Sequence, residues 1–286
     1  MTATTLASHD SSATALAGRR IALLGAGTMG RAIAGGMARA GMFPAARLHV
    51  VDHAGTAAAS LAADIDGAAV ADAADACADA DVVLVCVKPK DVRPLLEQLV
   101  SRGALDHAPL VISIAAGVAI ATIEGLVGAD VPVVRAMPNT AAVIGMGCTV
   151  IAAGAHATAD HMAQAQAIFE SVGRCLTLDE HHLDTVTAVS ASGPAFIYVV
   201  LEALTDGAVS CGLPRGVALE LVAQMTRGAA EMVLTTGRHP AALKDDVTTP
   251  GGCTIAGLMV LEDGRARSVL ARTIEATKRV AAGLGR

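Results

Sequence analysis

Near its carboxyl end the chain reads DDVTTPGGCTIAGL, residues Asp245 to Leu258, between stretches with a helical pattern rich in alanine and leucine. Pro250 pushes Thr249 into an extended conformation. Gly251 and Gly252 permit a turn with positive φ, and Thr254 is a natural N-cap for a helix beginning at Ile255. Such a turn gathers backbone N–H groups around one point. It could bind a carboxylate without any cationic side chain, with threonine hydroxyls adding hydrogen bonds. On this stretch alone, an ordinary loop between helices remains the alternative.

A second constellation lies near the other end. IALLGAGTMGRAIAGG places Gly25, Gly27 and Gly30 after a strand pattern and at the start of a helix pattern. Glycines there let the backbone approach a pyrophosphate, while the helix N-terminus offers free N–H groups. The cradle runs from Leu24 through Gly25, Ala26, Gly27, Thr28 and Met29 to Gly30. Asp52 ends the next strand pattern about 22 residues beyond Gly30, where a carboxylate binds ribose hydroxyls and repels a 2′-phosphate. No Arg or Lys follows in DHAGTAAAS, which favours NADH over NADPH. Two more strand ends carry turn signals, Val87-Lys88-Pro89 and Ala115-Ala116-Gly117, at the edge where a cofactor lies. Lys88 and Pro89 either lie against the nicotinamide half or only end the strand. Asn139 and Thr140 either line the site or hold a turn.

Hydrolase and metal chemistry lack their signatures. There is no serine elbow of the G-x-S-x-G type, no H-E-x-x-H, and no C-x-x-C. His181 and His182 read as a solvated helix start, so no metal site is expected. The six cysteines read as buried small hydrophobes in a reducing, cytoplasmic compartment.

The elements that must position these residues follow from periodicity. Between Arg20 and Leu178, runs apolar at every position (RRIALLG, RLHVVD, DVVLVCVKP, PLVISIAAG, VPVVRAMPN, CTVIAAG, RCLTL) alternate with helical stretches. Strands of that kind are covered on both faces, as in a mostly parallel, doubly wound sheet. Beyond Leu178 the pattern is helical only, over about 183–191, 194–211, 215–236, 241–247, 255–262 and 266–282. AFIYVVLEALTDGAV is apolar around more of its circumference than a lone surface helix tolerates, so a second subunit is expected to cover it. The expected fold class is α/β, with a Rossmann-like dinucleotide-binding domain over 19–180 after a loose tail at 1–18. An all-helical dimerisation and substrate domain follows over 181–286. A net charge of −6 gives no footprint for nucleic acid or an anionic membrane, and no uncharged apolar run is long enough to span one.

GAGTMG, VKP, SIAAGV, RAMPNT, SASGPAF, DGAVSCGLPR and above all DDVTTPGGCTIAGL, in order from about Arg20 to Val280, resemble pyrroline-5-carboxylate reductase. The resemblance implies hydride transfer from NADPH or NADH to the C=N carbon of 1-pyrroline-5-carboxylate, giving L-proline, in a cytoplasmic homodimer. Dimers of this family often assemble into decamers. By position, the resemblance makes Thr254 the catalytic residue that hydrogen-bonds the ring nitrogen. It places Thr249, Gly251, Gly252 and Cys253 around the substrate carboxylate and Glu180 beside the substrate. The chain departs from the family pattern at Ala73, Ala141, Asp246 and Asp52; family members usually prefer NADPH and carry a small polar residue at the last position. Two other readings are a related imine or β-hydroxyacid reductase and a non-catalytic nucleotide-binding protein. The β-hydroxyacid enzymes want a lysine on a helix of the second half, where Lys244 stands just before the break.

Overall fold

The computed structural model describes residues 15–42 and 47–283. Eight strands form one sheet: β1 (Ile21–Leu24), β2 (Leu48–Val51), β3 (Ala68–Ala69), β4 (Val82–Val85), β5 (Leu110–Ser113), β6 (Val133–Met137), β7 (Gly147–Ala153) and β8 (Gly173–Thr177). Their order is β3-β2-β1-β4-β5-β6-β7-β8. All neighbours are parallel except β6 and β7, which run antiparallel with Val134 opposite Ala153.

The strands are apolar at successive positions because both faces are covered. Ala22, Leu24, Val83, Val85 and Val111 face α3 (Ala73–Cys77), α4 (Pro89–Ser101) and α5 (Ile120–Val127). Ile21, Leu23, Val82, Leu84 and Ile112 face α1 (Thr28–Arg39), α2 (Gly55–Asp64) and α6 (Ala159–Glu170). After β8 the chain makes a 3-10 turn at Glu180–His182, a short helix α7 (Leu183–Val186) and one π-helical turn at Thr187–Ala191.

The chain divides into two compact units, one of residues up to Ala191 together with Thr277 onward, the other Ser192–Ala276. An earlier boundary was expected, between 180 and 181. The difference arises because Leu183, fully buried, belongs to the apolar layer over the sheet, and Thr187 and Ala188 are buried with it. Of the expected tail at 1–18, only its last four residues are described. Residues 1–14 lie outside the described residues, while Leu16 is fully buried in the second core face and its carbonyl accepts the N–H of Arg19 at 3.0 Å.

The second unit is helical: α8 (Gly193–Ser210), α9 (Arg215–Thr236), α10 (Pro240–Asp246), α11 (Cys253–Asp263) and most of α12 (Ala266–Ala281). Gly212 at φ +100° and Pro214 as N-cap make the expected stop and restart between α8 and α9. Large apolar side chains remain outside: Tyr198 and Val199 on α8, Leu221 and Met225 on α9, Val260 on α11. The run Glu180–Ser210 is long and apolar enough to cross a membrane by composition, a candidate the sequence reading did not single out because Glu202 and Asp206 interrupt it.

If Leu16 is part of the core, Leu16→Ala should lower unfolding free energy by about 3 kcal/mol. Urea unfolding measures this, and a change under about 0.5 kcal/mol, the surface-residue range, would place Leu16 outside the core.

Candidate active site

The strand order reverses direction between β1 and β4, so their carboxyl ends open a crevice with no crossover filling it. Leu24 closes β1 and Gly25 turns away at φ +112°. A Cβ on Gly25 would stand 2.7 Å from the Cys86 carbonyl oxygen, and one on Gly30 would stand 2.1 Å from the Gly25 carbonyl oxygen. Strand, loop and helix thus meet backbone to backbone. Gly27 is the N-cap of α1 and no side chain caps it. The first N–H groups of that helix, beginning at Thr28 and Met29, therefore have no intrahelical acceptor and suit a pyrophosphate.

Asp52 is held tightly. One carboxylate oxygen accepts the N–H of Ala26 at 2.8 Å, the other that of Ala54 at 2.9 Å, and its side chain is 11% exposed. It thereby fixes the middle of the glycine loop. The sequence reading missed a cation near this corner: Arg31 of α1 donates to the Ala57 carbonyl at 3.0 Å and pairs with Asp64 at 3.3 Å. Linear proximity to Asp52 could not reveal it, since it comes from the preceding helix.

The other residues expected to hold a cofactor follow the strands β4, β5 and β6. Val87 and exposed Lys88 precede α4, with Lys88 as N-cap and Pro89 in the first turn, where the missing N–H costs nothing. Ala115, Ala116 and Gly117 form the β5–α5 loop; Ala115 is buried, and Gly117 sits at φ +76°. Asn139 follows β6. Its amide donates to Ser190 Oγ at 3.1 Å and its carbonyl accepts the N–H of Cys148 at 3.3 Å, so this side chain holds the chain together at the strand end. Ser190 in turn donates to the Cys148 carbonyl at 3.1 Å.

Glu180 lies in the same unit, but its Oε1 is already bonded twice, by the N–H of Ile120 at 2.7 Å and by Arg135 at 2.9 Å. Sequence reading passed over Arg135 and Ser190. The available signal was an arginine inside the otherwise apolar run VVRAM, which requires a partner when buried.

The second constellation belongs to the helical unit. Thr248 returns its hydroxyl to the Lys244 carbonyl at 2.7 Å and so closes the end of α10. The turn then tightens: Gly252 N–H donates to the Thr249 carbonyl at 3.1 Å, and Gly251 takes φ +68°. The N-cap of α11 is Gly252, with no side-chain bond, which corrects the expectation that Thr254 caps a helix starting at Ile255. Gly252 is already extended at φ −78° and ψ 172°, so the helix begins one residue before Thr254. Cys253 and Thr254 therefore lie in the first turn, with their N–H groups free of intrahelical acceptors. Thr249 is exposed and Thr254 half-buried. Asp246 is paired with Arg238 at 2.6 Å, and that hydrogen bond holds its carboxyl below the usual range.

Among the described residues no group of His, Cys, Asp or Glu could hold a metal ion. The cysteines divide: Cys77 is buried, but Cys211 and Cys253 are exposed, against the expectation that all six are interior. Cys253 is drawn to the surface by its place in the turn.

Comparison with known proteins identifies the family of this chain. Residues 180–284 match the family described as pyrroline-5-carboxylate reductase dimerisation, and residues 20–117 match the one described as NADP oxidoreductase, coenzyme F420-dependent. A pyrroline-5-carboxylate reductase of Arabidopsis thaliana is 37% identical over 257 residues, covering 90% of this chain and 92% of its own. The chain belongs to the pyrroline-5-carboxylate reductase family.

Solved structures agree. A pyrroline-5-carboxylate reductase from Coxiella burnetii superposes with a TM-score of 0.88 at 31% identity, over 94% of this chain and 99% of that one. A Plasmodium falciparum pyrroline carboxylate reductase, solved with NADP bound, gives 0.84 at 27% identity over 94% and 99%. The family's two-part plan, a Rossmann-like domain followed by a helical dimerisation domain, is the plan of this chain.

Gly30→Ala should weaken dinucleotide binding on the order of tenfold or more, because the added methyl meets the Gly25 carbonyl and opens the cradle. Titration of cofactor fluorescence tests it; an unaltered Kd would mean the loop is not the pyrophosphate site.

Proposed function

We propose that this chain reduces 1-pyrroline-5-carboxylate to L-proline with a reduced nicotinamide dinucleotide. The observation that carries the reading is the start of α11: a tight glycine turn, an uncapped helix N-terminus and two threonine hydroxyls in one short stretch. Thr249, Gly251, Gly252 and Cys253 hold the substrate carboxylate through hydrogen bonds and the positive end of the helix. Thr254 Oγ hydrogen-bonds the ring nitrogen. An imine accepts hydride at carbon as its nitrogen gains a proton, so orienting the ring matters more than a strong base. The dinucleotide, held by Leu24 to Gly30, Val87 to Pro89, Ala115 to Gly117 and the Asn139 turn, supplies the hydride.

The Asp52 carboxylate supports NADH as the preferred donor. Arg31, a cation near this corner, is engaged with Asp64 and the Ala57 carbonyl, and the exposed His53 Nδ1 stands 3.2 Å from an Asp52 oxygen. The exposed apolar side chains of α8, α9 and α11 support a homodimer covering them in place of lipid, with assembly of dimers into decamers as an extension. Net charge −6 argues against nucleic acid, and the reading is of a cytoplasmic enzyme.

Adding 1-pyrroline-5-carboxylate should oxidise NADH in an absorbance assay, and Thr254→Ala should cut kcat on the order of 100-fold with cofactor Kd held within about twofold. Equal turnover by mutant and wild type would remove Thr254 from the mechanism; no oxidation with NADH or NADPH, in protein that binds one of them, would overturn the reaction.

Asp52→Ser should move the NADPH-to-NADH preference about tenfold toward NADPH by removing a charge that opposes the 2′-phosphate. A ratio that does not move, from parallel kcat/KM measurements, would show that this carboxylate serves only the glycine loop.

A further inference from the structure

Glu180 is separated from Ile120 by 60 residues, yet one of its oxygens, Oε1, accepts both the Ile120 N–H at 2.7 Å and Arg135 Nη1 at 2.9 Å. Ile120 is the first residue of α5, whose N-cap Ala119 has no side-chain acceptor to offer. A distant carboxylate thus does the work of the cap, and its charge suits the positive end of the helix.

Arg135 fixes where that oxygen sits. It lies within β6 with its side chain 5% exposed, and its Nε and Nη2 have no hydrogen-bond partner. Asp184 stands 3.7 Å from Nη2, within ion-pair range but beyond a hydrogen bond. Among the described residues, the hydrogen bond this buried guanidinium makes is the one to Glu180. A buried cation so served depends on its carboxylate, and the carboxylate in turn is anchored to a strand of the sheet. The helix end it holds comes after the Ala115–Gly117 loop, with only Val118 and Ala119 between them.

We propose that Arg135 and Glu180 are positioning residues for that loop. Through the start of α5 they set the Ala115–Gly117 loop where it meets the dinucleotide, and Glu180 acts on the cofactor side without touching the imine. This rests on the reading that the loop takes the dinucleotide.

The test compares Glu180→Ala, Glu180→Gln and Arg135→Lys with wild type in the full chain, each shown folded by thermal melting. NADH Kd is read by fluorescence, then KM for 1-pyrroline-5-carboxylate and kcat at saturating NADH. Glu180→Ala should raise the NADH Kd on the order of tenfold and leave the imine KM within about twofold, since a misplaced loop affects what it touches. Glu180→Gln, whose amide oxygen still accepts both bonds, should recover most of that affinity. Arg135→Lys should resemble Glu180→Ala, because an ammonium on a shorter reach does not reproduce the guanidinium geometry. Wild-type NADH affinity in all three variants with a raised imine KM would put Glu180 on the substrate and overturn the proposal. A wild-type protein that binds no NADH or NADPH would overturn the dinucleotide reading beneath it, and the proposal with it.

Discussion

Everything on the cofactor side depends on three backbones meeting with no side chain between them. The end of β1, the loop after β4 and the first turn of α1 converge where a Cβ on Gly25 or Gly30 would overlap a carbonyl oxygen. Because the contact is backbone to backbone, no rotamer change can relieve it. The parallel pairing of β1 with β4 is what brings Cys86 there, and the fully buried strands of that pair make the pairing rigid. Asp52 adds the remaining constraint by holding Ala26 from the neighbouring strand.

The two stretches proposed to bind ligands share one feature, a helix N-terminus whose N-cap is glycine and carries no side-chain bond. At α1 and α11 glycine is the N-cap, which frees N–H groups for a ligand. Asp72 and Thr158 cap α3 and α6 with their own side chains, whereas α2, α4, α5, α8 and α9 also start without a side-chain cap. No strongly perturbed nucleophile is needed. Burial pushes the Cys77 and Cys175 thiols up to about 12, which leaves them protonated packing groups.

The sequence showed the glycine cradle, seven of the eight strands and the helices of the second unit, since each rests on local pattern. β3 escaped because Ala68–Ala69 is two residues long with no apolar run around it. The start of α11 was displaced because a glycine in extended conformation can cap as well as a threonine. The dimerisation-family match starts at residue 180, beside the expected boundary, while the compact unit runs on to Ala191, because Leu183 and Ala188 carry the same helical spacing whether they cover a sheet or another helix. The partners of Glu180, Arg135 and Asn139 were invisible for a different reason: they are set by tertiary contact across 60, 45 and 51 residues.

The capping of Ile120 by Glu180 also has a bearing on synthesis. As the chain emerges from its amino end, α5 and the loop before it are made well before the carboxylate that fixes them. Leu183 arrives later still, to close the apolar layer over the sheet. The nucleotide-binding half therefore cannot finish as an independent folding event at the end of its own strands. Its last step waits for the Glu180–Ala191 segment that follows β8 within the same unit.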